Sequence, residues 1–239
     1  MKINKKPEDI QITGLQKLTL LDYPERTAAI LFLPGCNLRC PFCHNSELIH
    51  TKQPTIDYKN IEQYLIKRKN MLDGIVITGG EPSLQDITPL LKQIKNLGYQ
   101  IKIDTNGLKP KQIQSWTEQR LVDYIAMDIK NSPTKYPTTC GCQQINMSDI
   151  YESIHLIMNA NIEYEFRTTV VNPLHQPEDF TDIGTMLIPN AEKFYIQPFV
   201  MRDSVPDKTL QEPSDEMLMQ CLTNIQPYVK QVEIRGKSL

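Results

Sequence analysis

The stretch GIVITGGEPSLQDITPLLKQIKNLGYQIKIDTNG, Gly74 to Gly107, decides the fold. GIVIT, Gly74 to Thr78, and QIKIDT, Gln100 to Thr105, are short apolar runs of strand character. Between them ITPLLKQIKNLG has helical spacing, and its Gly98 suits the left-handed residue that closes a helix. A strand, a helix and a second strand in that order form a right-handed crossover in a parallel sheet.

The same rhythm extends in both directions. Upstream, AAILFL, Ala28 to Leu33, reads as a buried strand, and TIDYKNIEQYLIKRKN as a helix with Ile61, Leu65 and Ile66 on one side. Downstream, strands are predicted in VDYIAMDIK, EYEFRTTVV, KFYIQPF and QVEIRG. Helices are predicted in PKQIQSWTEQ, MSDIYESIHLIMNAN, PEDFTDIGTMLIPN and SDEMLMQCLTNIQPY. This gives about six βα units, fewer than the eight of a closed barrel. The expectation is an α/β fold, a partial, open (β/α)6 TIM-type barrel with parallel strands. GLQKLTLLDYPERTAAILFL predicts an opening hairpin over about 11–33, turning at Tyr23-Pro24-Glu25-Arg26. No linker-like stretch divides the chain, so 1–239 reads as a single domain.

With 239 residues, 40% hydrophobic and 23% charged, the chain can bury a sizeable core. A net charge of −2 with no basic stripe argues against a nucleic-acid partner. The longest apolar run is too short to span a bilayer. MKINKKPEDIQITG lacks an apolar core, so no signal peptide is expected and the chain is assigned to the cytoplasm, where thiols stay reduced. Six cysteines then point to metal or catalysis rather than to disulfides.

The unusual residues fall at or just past the C-terminal ends of predicted strands, the edge at which parallel α/β folds bind ligands. The densest cluster is CNLRCPFCHN, Cys36 to Asn45, within a loop over 34–50. A structural zinc site wants four ligands; Cys36, Cys40 and Cys43 give three, and His44 is too close in sequence to Cys43 to join them readily. Cys40-Pro-Phe-Cys43-His44 satisfies the C-x-x-C-H pattern of covalent haem, but leaves Cys36 unexplained. A redox dithiol needs only two of the three. A cubane [4Fe-4S] cluster held by three thiolates keeps one iron open for chemistry.

CNLRCPFC resembles the cluster loop of the radical S-adenosylmethionine superfamily. The continuation Cys43-His44-Asn45 resembles the group that activates glycyl radical enzymes. GLQKLTLLDYPERTAAILFLPGCNLRC and EFRTTVV look most like the anaerobic ribonucleoside-triphosphate reductase activating proteins, with the pyruvate formate-lyase activating enzyme similar in pattern. The resemblance implies a [4Fe-4S] cluster on Cys36, Cys40 and Cys43 whose open iron binds S-adenosylmethionine. It implies that Gly79, Gly80 and Glu81 of TGGEP approach the methionine ammonium, and that backbone beside Phe42 touches adenine. Lys130 would face the cofactor carboxylate, Arg167 a carboxylate or ribose, and Gln197 adenine or ribose. Asp104, Thr105 and Asp128 would hold a monovalent cation, and His44 would tune the cluster by a hydrogen bond.

The implied activity is reductive cleavage of S-adenosylmethionine to a 5′-deoxyadenosyl radical that takes a hydrogen from a partner's glycine. Flavodoxin or ferredoxin would supply the electron. Competing readings are a small-molecule radical enzyme, such as a deazaguanine-forming one, and a non-catalytic zinc or electron-transfer module. TGGEP also reads as a plain tight turn, and Glu165–Arg167 as an internal ion pair on one strand face. Cys140, Cys142 and Cys221 read as structural, and His155 and His175 as bland.

Overall fold

The computed structural model describes residues 6–50 and 52–236. One eight-stranded sheet runs in chain order. Its strands are β1 (Gly14–Thr19), β2 (Ala28–Leu33), β3 (Gly74–Gly79), β4 (Gln100–Thr105), β5 (Tyr124–Asp128), β6 (Glu163–Val170), β7 (Ala191–Pro198) and β8 (Val229–Ile234). β1 is antiparallel to β2, and every later neighbour pair is parallel. The helices are α1 (Tyr58–Arg68), α2 (Thr88–Asn96), α3 (Pro110–Glu118), α4 (Tyr136–Thr139), α5 (Met147–Asn159), α6 (Pro177–Asp182) and α7 (Asp215–Ile225). All but the short α4 fill the six predicted crossovers. β1 and β8 end the strand order without pairing to each other, so the barrel is open.

Alternation along the strands makes two apolar layers. Ala29, Leu31, Ile75, Ile77, Ile101, Ile103, Phe166 and Phe194 join the large core that includes the buried faces of the helices. Ala28, Ile30, Val76, Tyr124 and Ala126 form a separate inner cluster on the other face of the strands. Tyr23, from the hairpin turn, closes that cluster at the N-terminal end of the strands. Its ring meets Tyr124 edge-on at 5.8 Å, and a Cβ on Gly74 would lie 2.7 Å from it. The Asp-Tyr-Pro turn therefore supplies a stopper for the foot of the barrel.

Two predicted features differ. Ile66 is exposed, while Tyr58, Ile61 and Leu65 are buried. Residues 61 and 66 are five apart, about 140° off the shared face, whereas 61 and 65 are four apart. The predicted helix over 177–190 is α-helical only to Asp182 and widens into a π turn at Ile183–Leu187. Among the described residues no helix is long and apolar enough to cross a membrane.

Candidate active site

The parallel strands bring their C-terminal ends to one cavity of about 220 Å³. Cys36, Cys40, Phe42, Cys43 and His44 line it from the loop after β2, with Gly79, Gly80 and Glu81 after β3. Asp104 and Thr105 close β4; Asp128 and Lys130 come from the end of β5, Arg167 from β6 and Gln197 from β7. Every site residue singled out from the sequence lies around this one cavity. A larger groove of about 760 Å³ lies at the opposite edge, lined by Gln100, Asp123 and Glu163 from the strand starts and by His155. It holds none of the motifs.

The cysteine loop is pinned by its own backbone. Gly35 and Cys36 donate to Leu48 and Ile49 carbonyls at 2.7 and 3.1 Å, and the Cys43 amide donates to Cys40. The Leu38 amide donates to Cys36 Sγ at 3.4 Å. Asn45 Nδ2 donates to Gly79 O, and the Glu81 amide to Gly35 O at 2.7 Å. The two loops touch so closely that a Cβ on Gly80 would lie 2.0 Å from Gly35 O.

Glu81 is fully buried among donors. Its Oε1 accepts from the Ser83 amide, Ser83 Oγ and Thr105 Oγ1, and its Oε2 from the Asn106 amide at 2.7 Å. These bonds make the carboxylate a brace, tying the turn after β3 to the turn after β4. Burial raises its pKa and the donors pull it back. Asn106 Nδ2 continues the tie to Asn37 in the cysteine loop at 2.8 Å.

His44 likewise braces. Its Nε2 lies 2.8 Å from the Val200 carbonyl, which makes Nε2 the donor, and its ring stacks on Phe199 at 5.6 Å and 6°. The Asp207 amide donates to Pro41 O, so the segment after β7 straps the cysteine loop from above. Phe42 is buried, edge-on to His175. His175 accepts from the Val171 amide at Nδ1 and donates from Nε2 to Lys130 O at 2.8 Å, joining the turns after β5 and β6.

At the floor of the cavity lies a chain of charges. Arg167 Nε donates to Asp128 at 2.6 Å, its Nη2 faces Asp104 at 3.2 Å, and its Nη1 lies 3.7 Å from Glu165. Lys130 pairs with Asp128 at 3.0 Å, and the buried Lys102 with Asp104. Burial opposes ionisation of both aspartates, but Arg167 and the neighbouring lysines hold them below the usual carboxylate range. The two carboxylates expected to hold a monovalent cation are thus already compensated by the protein's own cations. The expected Glu165–Arg167 bridge is present but long; the main partner of Glu165 is Arg235, which the sequence pattern did not single out. Cys140 sits as a structural residue would, packed under the cysteine loop. It is wholly buried, the Arg39 amide donates to its carbonyl at 2.9 Å, and its thiol lies near that of Cys40.

The donor set fits a cluster. Burial pushes the Cys36 thiol up to about 11 and raises that of Cys43, while the Cys40 thiol beside Cys140 is lowered to about 7, so iron binding would release protons chiefly from the first two. Among the described residues, no three His, Cys, Asp or Glu side chains converge as a single metal ion would require. A cube receives its thiolates at separate corners and needs no such point of convergence.

The chain belongs to the radical SAM superfamily, whose sequence model matches residues 30–187. A Methanocaldococcus jannaschii protein named "Putative glycyl-radical enzyme activating enzyme" is 32% identical over 235 residues, 94% of this chain and 95% of its own length. A 7-carboxy-7-deazaguanine synthase of Hyperthermus butylicus is 31% identical over 170 residues, 70% of this chain and 66% of the relative. The fold is similar to that of Streptococcus suis SuiB bound to S-adenosylmethionine, with a TM-score of 0.63 at 16% identity over 87% of this chain. The chain spans about half the length of SuiB. The superfamily places a [4Fe-4S] cluster and S-adenosylmethionine in such a site.

Proposed function

We propose that this protein activates a glycyl radical enzyme, most closely the anaerobic ribonucleoside-triphosphate reductase type. The observation that carries the activase reading is near full-length similarity to the Methanocaldococcus relative named for glycyl-radical enzyme activation, 94% of one chain against 95% of the other; the reductase type rests on the DYP segment and EFRTTVV. Three thiols at the mouth of an open barrel support it. Cys36, Cys40 and Cys43 would hold the cluster, with S-adenosylmethionine at the open iron. When bound, these groups supply the one-electron cleavage that generates a hydrogen-abstracting radical.

The chain's own residues orient. Lys130 would present N–H donors to the cofactor's carboxylate, and Arg167 to that carboxylate or the ribose, while Asp128 and Asp104 keep both side chains charged. Gln197 and backbone beside Phe42 would face the nucleoside, and Gly79 and Gly80 would give the methionine end backbone to lie against. A side opening between β1 and β8 suits a peptide segment better than a closed pocket would. Flavodoxin or ferredoxin is the proposed electron source.

The test is anaerobic loading with iron and sulfide, then dithionite and S-adenosylmethionine. Release of 5′-deoxyadenosine is expected, followed by a glycine-centred paramagnetic signal when the reductase is added. An intact cluster that yields no 5′-deoxyadenosine would overturn the radical reading. Nucleoside release with no signal on any glycyl radical enzyme would overturn the activase reading. It would leave the deazaguanine chemistry suggested by the Hyperthermus relative. The spacing C-x3-C-x2-C followed by His-Asn favours the activase.

A further inference from the structure

We infer that Arg235, just beyond β8, is a positioning residue for Arg167 and hence for cofactor binding. The inference rests on the cofactor site proposed above. Glu165 sits on the inner face of β6, with none of its side chain exposed, two residues before Arg167. A buried carboxylate must find cations, and Arg167 is the nearest on its own strand face. Arg235 meets that demand instead. Its Nη1 and Nη2 donate to the two oxygens of Glu165 at 3.0 and 2.9 Å, a bidentate fork. Tyr124 adds a hydroxyl donor at 2.8 Å. Arg235 is itself held, with its guanidinium 4.0 Å from the centre of the Tyr195 ring and its amide donating to Ile196 O at 2.9 Å.

Arg167 is thereby left 3.7 Å from Glu165 and turned toward the mouth, with Nε on Asp128 and Nη2 near Asp104. Without Arg235, Glu165 keeps the Tyr124 hydroxyl and the weaker pull of Lys102, and draws the nearer guanidinium of Arg167 down the barrel and out of the cofactor cavity. The final strand thus completes the site from outside it: Arg235 is not among the residues lining the cavity.

The experiment measures S-adenosylmethionine affinity calorimetrically on the cluster-loaded protein and thermal unfolding of the same variants. Arg235→Met is expected to weaken binding by about tenfold or more, equivalent to about 1.4 kcal/mol. Glu165→Gln combined with Arg235→Met is expected to restore affinity to that of Glu165→Gln alone, because the role of Arg235 runs through the Glu165 charge. Should Arg235→Met fail to fold, the comparison within the Glu165→Gln background still decides. Equal affinity of wild type and Arg235→Met, or loss that Glu165→Gln does not rescue, overturns the inference. Cluster-loaded wild type that binds no S-adenosylmethionine overturns instead the cofactor site on which it rests.

Discussion

At the residue scale, Glu81 shows how a motif and a contact pattern speak of different things. The sequence placed it beside the cofactor; its four hydrogen bonds show that it assembles the cavity wall. Glu81→Gln turns one acceptor into a donor facing either the Asn106 amide or three donors around the other oxygen. The cost expected is about 1–3 kcal/mol, measured by denaturant unfolding. Replacing Cys36, Cys40 or Cys43 by alanine is expected to abolish stable cluster loading, read as iron and sulfide content and as loss of visible absorbance. Cys140→Ala should retain the cluster, because it takes away a buried neighbour of Cys40 rather than a ligand. Sequence spacing could find the three loop cysteines because they are neighbours in the chain. It could not find Cys140 or Arg235, whose closeness to Cys40 and Glu165 is made by folding across 100 and 70 residues.

At the element scale, the strands and helices were legible because apolar periodicity and Gly98 mark them locally. The failures were also local in cause. Ile66 lies one step off the helix stripe, and the π turn after α6 has no composition signal of its own. The contact between the loops after β2 and β3 depends on a missing side chain. Gly80→Ala would thrust a methyl to 2.0 Å from Gly35 O, a backbone atom that cannot swing aside. The expected result is a folded protein, by circular dichroism, that loads less than half the wild-type iron, since the cysteine loop must shift. His44→Ala removes the hydrogen bond to Val200 and the Phe199 stack, so the strap over residues 199–207 loosens. Faster proteolysis within that segment, with iron retained, is the outcome that separates bracing from ligation.

At the scale of the whole molecule, pH acts through groups set below the surface. Burial lowers the pKa of His175 below its usual value, so the folded protein keeps it neutral. The unfolded chain takes up that proton first as pH falls below about 6.5. Stability therefore decreases on acidification through the window just below 6.5, and is fully present above it. His175→Phe should flatten this part of the unfolding-midpoint profile, measured calorimetrically from pH 7.5 to 5. Asp104, Asp128 and Glu165 are depressed, so what they contribute is lost only at more acid pH, below about 4. The open barrel itself was visible as a count of βα units, and its ligand edge as the clustering of odd residues at strand ends. The internal charge chain was not, because alternation names a face without saying which charges on it meet.

The tyrosine stopper makes the protein a cup and not a pipe. If the activase reading holds, spent methionine and nucleoside cannot drain away beneath while the target stays docked above. They would leave by the rim or by the gap between β1 and β8, the same ways by which the target comes in.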